Sequence, residues 1–136
     1  LDTNYEGKAQ AALQALQEVD FVYVHVEAPD EASHKGSLEE KIQAIEDFDA
    51  RIVAAVITGL RQNHKEFRLM VLPDHPTPLS IRTHAADPVP FLIYASPGHD
   101  RGVMQSRGYN EQDASKSGIL IENGWTLMDR LITHEW

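Results

Sequence analysis

Tyr5, Ala9, Ala12, Leu13 and Leu16 recur at the spacing of one helical face, and Thr3 with Glu6 ahead of them fits a capping box. The pattern predicts a helix over residues 4–18. Phe21-Val22-Tyr23-Val24-His25-Val26 is rich in β-branched and aromatic residues and apolar on both faces, which predicts a central parallel strand buried between layers. Ala28 to Gly36 breaks the pattern. Ser37 and Glu40 form a second capping box ahead of Leu38, Ile42, Ile45, Ile52, Val56 and Leu60, the apolar face of a long amphipathic helix.

Phe67 to Leu72 reads as a second buried strand, stopped by Pro73, Pro76 and Pro78, which have no N–H to give a ladder. Val89 to Ala95 reads as a third. Residues 96–118 show no periodicity and read as a surface excursion with one short helix. Trp125, Met128, Leu131 and Ile132 mark a terminal helix, with Trp125 and Met128 expected in the core. Strands alternating with helices predict an α/β layered domain whose sheet is mostly parallel and flanked by helices. The length, 136 residues, suits one domain, and no internal repeat is visible.

Composition narrows the chemistry. With 12 Lys and Arg against 21 Asp and Glu the formal charge is −9, which argues against a surface that tracks nucleic-acid phosphates. The chain has no cysteine, which excludes disulfides, CxxC redox motifs and thiolate zinc sites, so carboxylates and the seven histidines are the available metal ligands. The longest apolar runs fall far short of the roughly 18 residues a membrane-spanning helix needs. No basic leader followed by an apolar run is visible, and a start at Leu1 suits a processed chain or an excised domain. These features lead to the expectation of a cytoplasmic protein without membrane or nucleic-acid partners.

Polar clusters follow or precede the predicted strands: Asp30 and His34 after the first, Asp74 and His75 after the second, His84 before the third. The Asp30–His34 spacing puts both side chains on one face of a helical turn, and a tight loop converges them equally well. Asp74 and His75 would point to opposite faces of a continuing strand, but Pro76 and Pro78 turn the chain. Each cluster also has a plainer reading: a surface helix start for the first, a loop-capping Asp for the second, a hydrogen-bonded loop histidine for His84. Their common position at strand termini favours a shared site. His25 reads as a core histidine or one that orients a ligand, Glu27 and Glu31 as exposed acids flanking the site, and His64, His99, His134, Arg101 and Arg107 as surface residues.

Four ordered stretches, Asp2-Thr3-Asn4-Tyr5-Glu6-Gly7-Lys8, His25 to His34, Asp74-His75-Pro76-Thr77-Pro78 and Thr83-His84-Ala85-Ala86-Asp87-Pro88-Val89-Pro90-Phe91, resemble the archaeal-type branch of the 2,3-bisphosphoglycerate-independent phosphoglycerate mutases, in the alkaline phosphatase superfamily. The resemblance runs over nearly the whole chain. It implies an alkaline-phosphatase-like layered domain and two divalent ions, Mn²⁺ in the family with Zn²⁺ or Co²⁺ compatible with the same donors. On the matching motifs Asp30, His34 and His84 would hold one ion, and Asp74 and His75 would contribute to the other. The ions serve a serine nucleophile that moves a phosphoryl group between the 2- and 3-positions of glycerate through a phosphoserine intermediate.

The family's nucleophilic serine, its remaining metal aspartate, its substrate-clamping arginines and its lid lie upstream in a longer chain, and nothing here matches their motifs. Ser33 and Ser37 are not candidates for the nucleophile. The 136 residues therefore read as the C-terminal part of the metal-binding catalytic domain, inactive alone, whose partners are phosphoglycerate and the missing N-terminal part. Other readings are a related phosphotransferase or phosphatase, including proteins labelled homoserine kinases, and a non-catalytic metal-binding domain. The last gains from Ser33 and Lys35 around His34, where the family more often has glycine and aspartate.

Overall fold

Asn4, rather than Thr3, starts the first helix: its side-chain oxygen accepts the Gly7 N–H at 2.9 Å, and α1 then runs over Tyr5–Ala15. The computed structural model describes residues 3–63, 66–96 and 108–133. The chain divides into two compact units, Leu1–Lys65 with His75–Asp87, and Glu66–Asp74 with Pro88–Trp136.

In the first unit α2 (Ala28–Lys35) occupies the stretch where the apolar pattern breaks. Pro29 lies in its first turn, where a missing N–H costs nothing. Gly36 closes it in the left-handed conformation, φ 74°, with the Gly36 and Ser37 N–H groups taking the Ser33 and Ala32 carbonyls. Ser37 caps α3 (Leu38–Phe48) as its motif predicts, accepting from the Glu40 N–H at 3.3 Å. A π-helical turn, Asp49–Val53, leads into α4 (Ala54–Asn63), so the expected long helix is continuous but locally widened.

The core of this unit is built mainly from small residues, Ala9, Ala12, Ala28, Ala32 and Ala44, with Tyr5, Ile52, Val56 and Leu60 as its larger members. Close backbone approach replaces bulk. Gly59 is where α4 meets α1: a Cβ there would lie 2.5 Å from Leu13 Cδ1. Arg51, on the π-turn, donates from Nε and Nη2 to the two Glu6 oxygens at 2.6 and 2.8 Å and lies 4.7 Å over the Tyr5 ring.

Phe21 to Val26 is not a strand. The segment is extended, with Val22, Val24 and Val26 half-buried and the alternate residues outward, Phe21 being 44% and Tyr23 67% exposed. Its residues are strand-formers, but a ladder needs a partner backbone, and among the described residues none pairs with it.

The second unit contains β1 (Arg68–Val71) and β2 (Leu92–Ala95), both within predicted strands. They pair antiparallel, Arg68 opposite Ala95 and Val71 opposite Leu92, so the mostly parallel sheet is not seen among the described residues. A parallel pair requires a crossover, usually helical, and the connection from Val71 to Leu92 holds only turns. Buried Ser96 ends the pair, its N–H on the Phe67 carbonyl and its hydroxyl oxygen on the Phe67 N–H. The Tyr109 hydroxyl donates to the Pro90 and Val71 carbonyls at 3.2 and 3.4 Å; its loss of water, with the Glu111 charge beside it, pushes its pKa up to about 12. The short helix expected in 96–118 is α5 (Glu111–Lys116), capped by Asn110. The terminal helix is α6 (Thr126–Thr133), held by Arg68 on the Leu131 and Ile132 carbonyls. Trp125 is 76% exposed and Met128 partly so, contrary to their expected place in the core. Helical periodicity predicts a face but not what covers it. Among the described residues no helix is long and apolar enough to cross a membrane.

Candidate metal centre

The Asp30–His34 spacing resolves into the helical alternative. Both residues lie on α2, one turn apart, and His34 Nε2 stands 3.3 Å from Asp30 Oδ2. His84 reaches the same point from the loop that follows Thr77, its Nε2 lying 3.2 Å from His34 Nε2 and 3.5 Å from Asp30 Oδ1. That loop is braced locally. The Ile81 and Arg82 N–H groups return to the Pro78 carbonyl, Arg82 takes a left-handed φ of 54°, and the Ala85 N–H takes the Pro76 carbonyl at 3.0 Å, drawing His75 and His84 together. Their rings stack with centroids 3.6 Å apart.

Second contacts orient these groups. His34 Nδ1 lies 2.9 Å from the Arg82 carbonyl oxygen, an acceptor only, so Nδ1 carries the proton and Nε2 presents a lone pair to the cluster. The Thr77 hydroxyl donates to Asp30 Oδ1 at 2.6 Å. Burial alone pushes the Asp30 carboxyl up, but the Thr77 hydrogen bond and the imidazoles of His34, His84 and His75 outweigh it, so its pKa lies below the ordinary carboxylate value. Asp30 is therefore a carboxylate at neutral pH.

One carboxylate and two imidazoles fit a divalent cation of the borderline class. The two Nε2 atoms lie 3.2 Å apart, His34 Nε2 is 3.3 Å from Asp30 Oδ2 and His84 Nε2 is 3.5 Å from Asp30 Oδ1, and one donor atom from each of the three residues can be chosen so that all lie within 4.8 Å of one another, close enough to face a shared ion. All three side chains are partly open to solvent, which leaves an ion a way in.

The other predicted residues stand as follows. His75 borders the cluster through its stack on His84. Asp74, its chain neighbour, belongs to the second compact unit. His25 is a half-exposed residue, not a core one, stacked on Tyr23 and 3.7 Å from Glu27 Oε1. Glu27 and Glu31 are exposed acids, as expected. Ser33 is buried and donates to the Pro29 carbonyl within its own helix. His64, His99, Arg101, Arg107 and His134 lie outside the described residues. Sequence reasoning missed Thr77 and the Arg82 carbonyl. Thr77 could have been found as the hydroxyl between two prolines in the Asp74–Pro78 stretch, whereas a backbone carbonyl leaves no signal.

The family model described as the metalloenzyme superfamily matches residues 1–134. The chain belongs to the metalloenzyme superfamily. It is 46% identical over 132 residues to the probable 2,3-bisphosphoglycerate-independent phosphoglycerate mutase of Geobacter sulfurreducens, covering 97% of this chain and 32% of that protein. It is 50% identical over 132 residues to the 2,3-bisphosphoglycerate-independent phosphoglycerate mutase of Methanosarcina barkeri, covering 97% and 33%. Among solved structures, that of the PH0037 protein from Pyrococcus horikoshii is similar with a TM-score of 0.83 at 26% identity, over 97% of this chain and 38% of that one. The chain thus spans about a third of the length of the curated relatives it matches. For a metalloenzyme superfamily member with a carboxylate and two imidazoles converging, divalent metal use follows, and the mixed helix and sheet fits a partial α/β domain of the alkaline-phosphatase-like kind.

Proposed function

We propose that residues 1–136 are the C-terminal part of the metal-binding catalytic domain of a cytoplasmic, metal-dependent phosphoglycerate mutase, which interconverts 2- and 3-phosphoglycerate through a phosphoserine intermediate. The observation that carries this reading is the convergence of Asp30, His34 and His84 in a chain similar along 97% of its length to part of enzymes bearing that name. Asp30, His34 and His84 are assigned to one divalent ion, and Asp74 with His75 to a second; Mn²⁺ suits these donors, with Zn²⁺ and Co²⁺ as competitors. When bound, the ions supply positive charge against the phosphoryl oxygens and ease ionisation of a serine hydroxyl. The residues of this chain do the holding. Asp30 contributes the anionic donor, His34 keeps its Nε2 lone pair directed inward because the Arg82 carbonyl takes its Nδ1 proton, and His84 closes the third side. The nucleophilic serine and the groups that clamp substrate are assigned to the rest of the enzyme.

The test is an assay of the full-length protein with 2-phosphoglycerate, with and without Mn²⁺. Interconversion is expected to require the metal and to fall by orders of magnitude in Asp30→Ala. Metal uptake with transfer of the terminal phosphoryl group of an added nucleoside triphosphate to added homoserine, leaving the nucleoside diphosphate, or with hydrolysis of the phosphoglycerate to inorganic phosphate, would replace the mutase by a related phosphotransferase or phosphatase. Uptake without turnover of any of these would leave a metal-binding domain, and no uptake at all would remove the site.

A further inference from the structure

Three polar residues are buried among those described, Ser33, Thr77 and Ser96, and they do different things with their hydroxyls. Ser33 and Ser96 satisfy backbone groups. Thr77, 6% exposed, reaches two side chains of the candidate site: its Oγ1 lies 2.6 Å from Asp30 Oδ1 and 3.2 Å from His75 Nδ1. The placement is over-determined. Pro76 and Pro78 flank the residue, the Lys41 ammonium on α3 holds its carbonyl at 2.9 Å, and the Ala85 N–H holds the carbonyl before it.

Counting protons fixes the direction of each bond. A threonine hydroxyl has one hydrogen to give and lone pairs to receive with. The ionised Asp30 carboxylate is an acceptor only, so the shorter contact consumes the Thr77 proton. Towards His75 the same oxygen offers only lone pairs, and Nδ1 must be the donor. A neutral imidazole has a single ring proton, so with that proton on Nδ1 the His75 Nε2 carries a lone pair. The stack on His84 at 3.6 Å sets the ring plane in which this holds. His34 is set in the same tautomer by an unrelated partner, the Arg82 carbonyl.

We propose that Thr77 is a positioning residue whose one hydroxyl couples the two halves of the metal centre, orienting the Asp30 carboxylate and fixing His75 as the Nδ1–H tautomer, whose lone pair is on Nε2. This rests on the metal-enzyme reading above but makes a statement of its own about the metal-free protein. The Lys41 and Ala85 hydrogen bonds that hold this stretch of backbone do not use the Thr77 side chain, so the coupling is assigned to the hydroxyl and not to the bulk of the residue.

The experiment compares the full-length protein with Thr77→Val, which keeps the shape and loses the hydroxyl, and Thr77→Ser, which keeps the hydroxyl. Long-range ¹⁵N–¹H correlation spectra of the metal-free proteins are expected to show His75 protonated on Nδ1 in the unsubstituted protein and in Thr77→Ser, and shifted towards Nε2–H in Thr77→Val. Titration with Mn²⁺ alone, followed by the spin-resonance signal of the free aqueous ion, is expected to show affinity lowered about 10- to 100-fold in Thr77→Val and retained in Thr77→Ser. A His75 protonated on Nε2 in the unsubstituted protein overturns the proposal, as does unsubstituted affinity in Thr77→Val. Should Thr77→Val fail to fold, the other two spectra and the Thr77→Ser titration carry the test. If the unsubstituted protein takes up no Mn²⁺, the metal-enzyme reading fails, and the tautomer of His75 alone decides for or against Thr77.

Discussion

His34 Nε2 and His84 Nε2 lie 3.2 Å apart although 50 residues separate them in the chain. The Arg82 carbonyl takes the Nδ1 proton of His34, so its Nε2 faces His84 as a lone pair, with the Asp30 carboxylate completing the ring. Lone pairs and a negative oxygen at this spacing repel unless positive charge sits among them. A proton shared from His84 is one way to supply it and a divalent cation another, so the two compete for the same place.

That competition sets an expected outcome. Mn²⁺ uptake by the full-length protein should release protons and weaken as the pH falls, because the donors must be deprotonated to bind. His34→Ala and His84→Ala should each reduce affinity by more than about 100-fold, beyond the loss typical of residues that only orient a ligand. His25→Ala should bind as the unsubstituted protein does, since its imidazole is engaged with Tyr23 and Glu27 instead. Calorimetric titrations in buffers of different ionisation enthalpy measure both affinity and proton release.

The Glu6–Arg51 fork gives a stability prediction with a defined sign. The Arg51 hydrogen bonds hold the Glu6 carboxyl below its ordinary value of 4.5. A carboxyl whose pKa is lower folded than unfolded stabilises the fold above the unfolded value, and that contribution is lost as the pH falls through the folded one. Glu6→Gln should therefore lower Tm at neutral pH and make its decline below about pH 4.5 shallower. Thermal melts of both proteins across the acid range test this; parallel curves would count against it.

Helices with local signals were legible in the sequence, and contacts set by distant chain were not. Ser37 caps α3 as its motif requires, and the apolar spacing of α1 needs only its own residues. Phe21 to Val26 has the composition of a strand, but pairing depends on a backbone elsewhere, and composition cannot supply one. Trp125 and Met128 failed as core residues for the same reason. In the site, Asp30 and His34 were legible because one helical turn separates them, and His84 because motif order singled it out. The groups that orient them were not, since the Arg82 contribution is a main-chain carbonyl placed by a left-handed residue.

Gly59 is the place where α1 and α4 depend on a missing side chain. A Cβ would meet Leu13 Cδ1 at 2.5 Å and Cδ2 at 2.7 Å, so Leu13 would have to move. Gly59→Ala should gain about 1 kcal/mol of helix propensity and lose about 1–3 kcal/mol to overpacking, for a net destabilisation of about 1 kcal/mol. With Leu13→Ala already in place, the same substitution should become stabilising, because only the propensity gain remains. A double-mutant cycle by chemical denaturation reads the coupling directly, and additivity would show that the two side chains do not compete for this space.

Gly36 ends α2 and lies against the Arg82 side chain beside the candidate metal centre. Its φ of 74° suits glycine, and a Cβ there would lie 2.4 Å from Arg82 Nε. Gly36→Ala should therefore cost about 1–2 kcal/mol from the left-handed backbone alone, and its Cβ should also push aside the Arg82 guanidinium, the flexible end of the residue whose carbonyl fixes the His34 tautomer. The two effects separate in the double variant. Arg82→Gly removes the side chain that the new Cβ would strike and eases its own φ of 54°, while its carbonyl remains for His34. Gly36→Ala alone should lose stability and keep its Mn²⁺ affinity, because a side-chain end can give way without moving the carbonyl; Gly36→Ala with Arg82→Gly should retain the loss from the Gly36 backbone, again with unchanged affinity. Chemical denaturation and Mn²⁺ titration on the same samples distinguish the two. Affinity lost in Gly36→Ala and recovered in the double variant would show instead that the contact with the Arg82 side chain is passed on to its carbonyl.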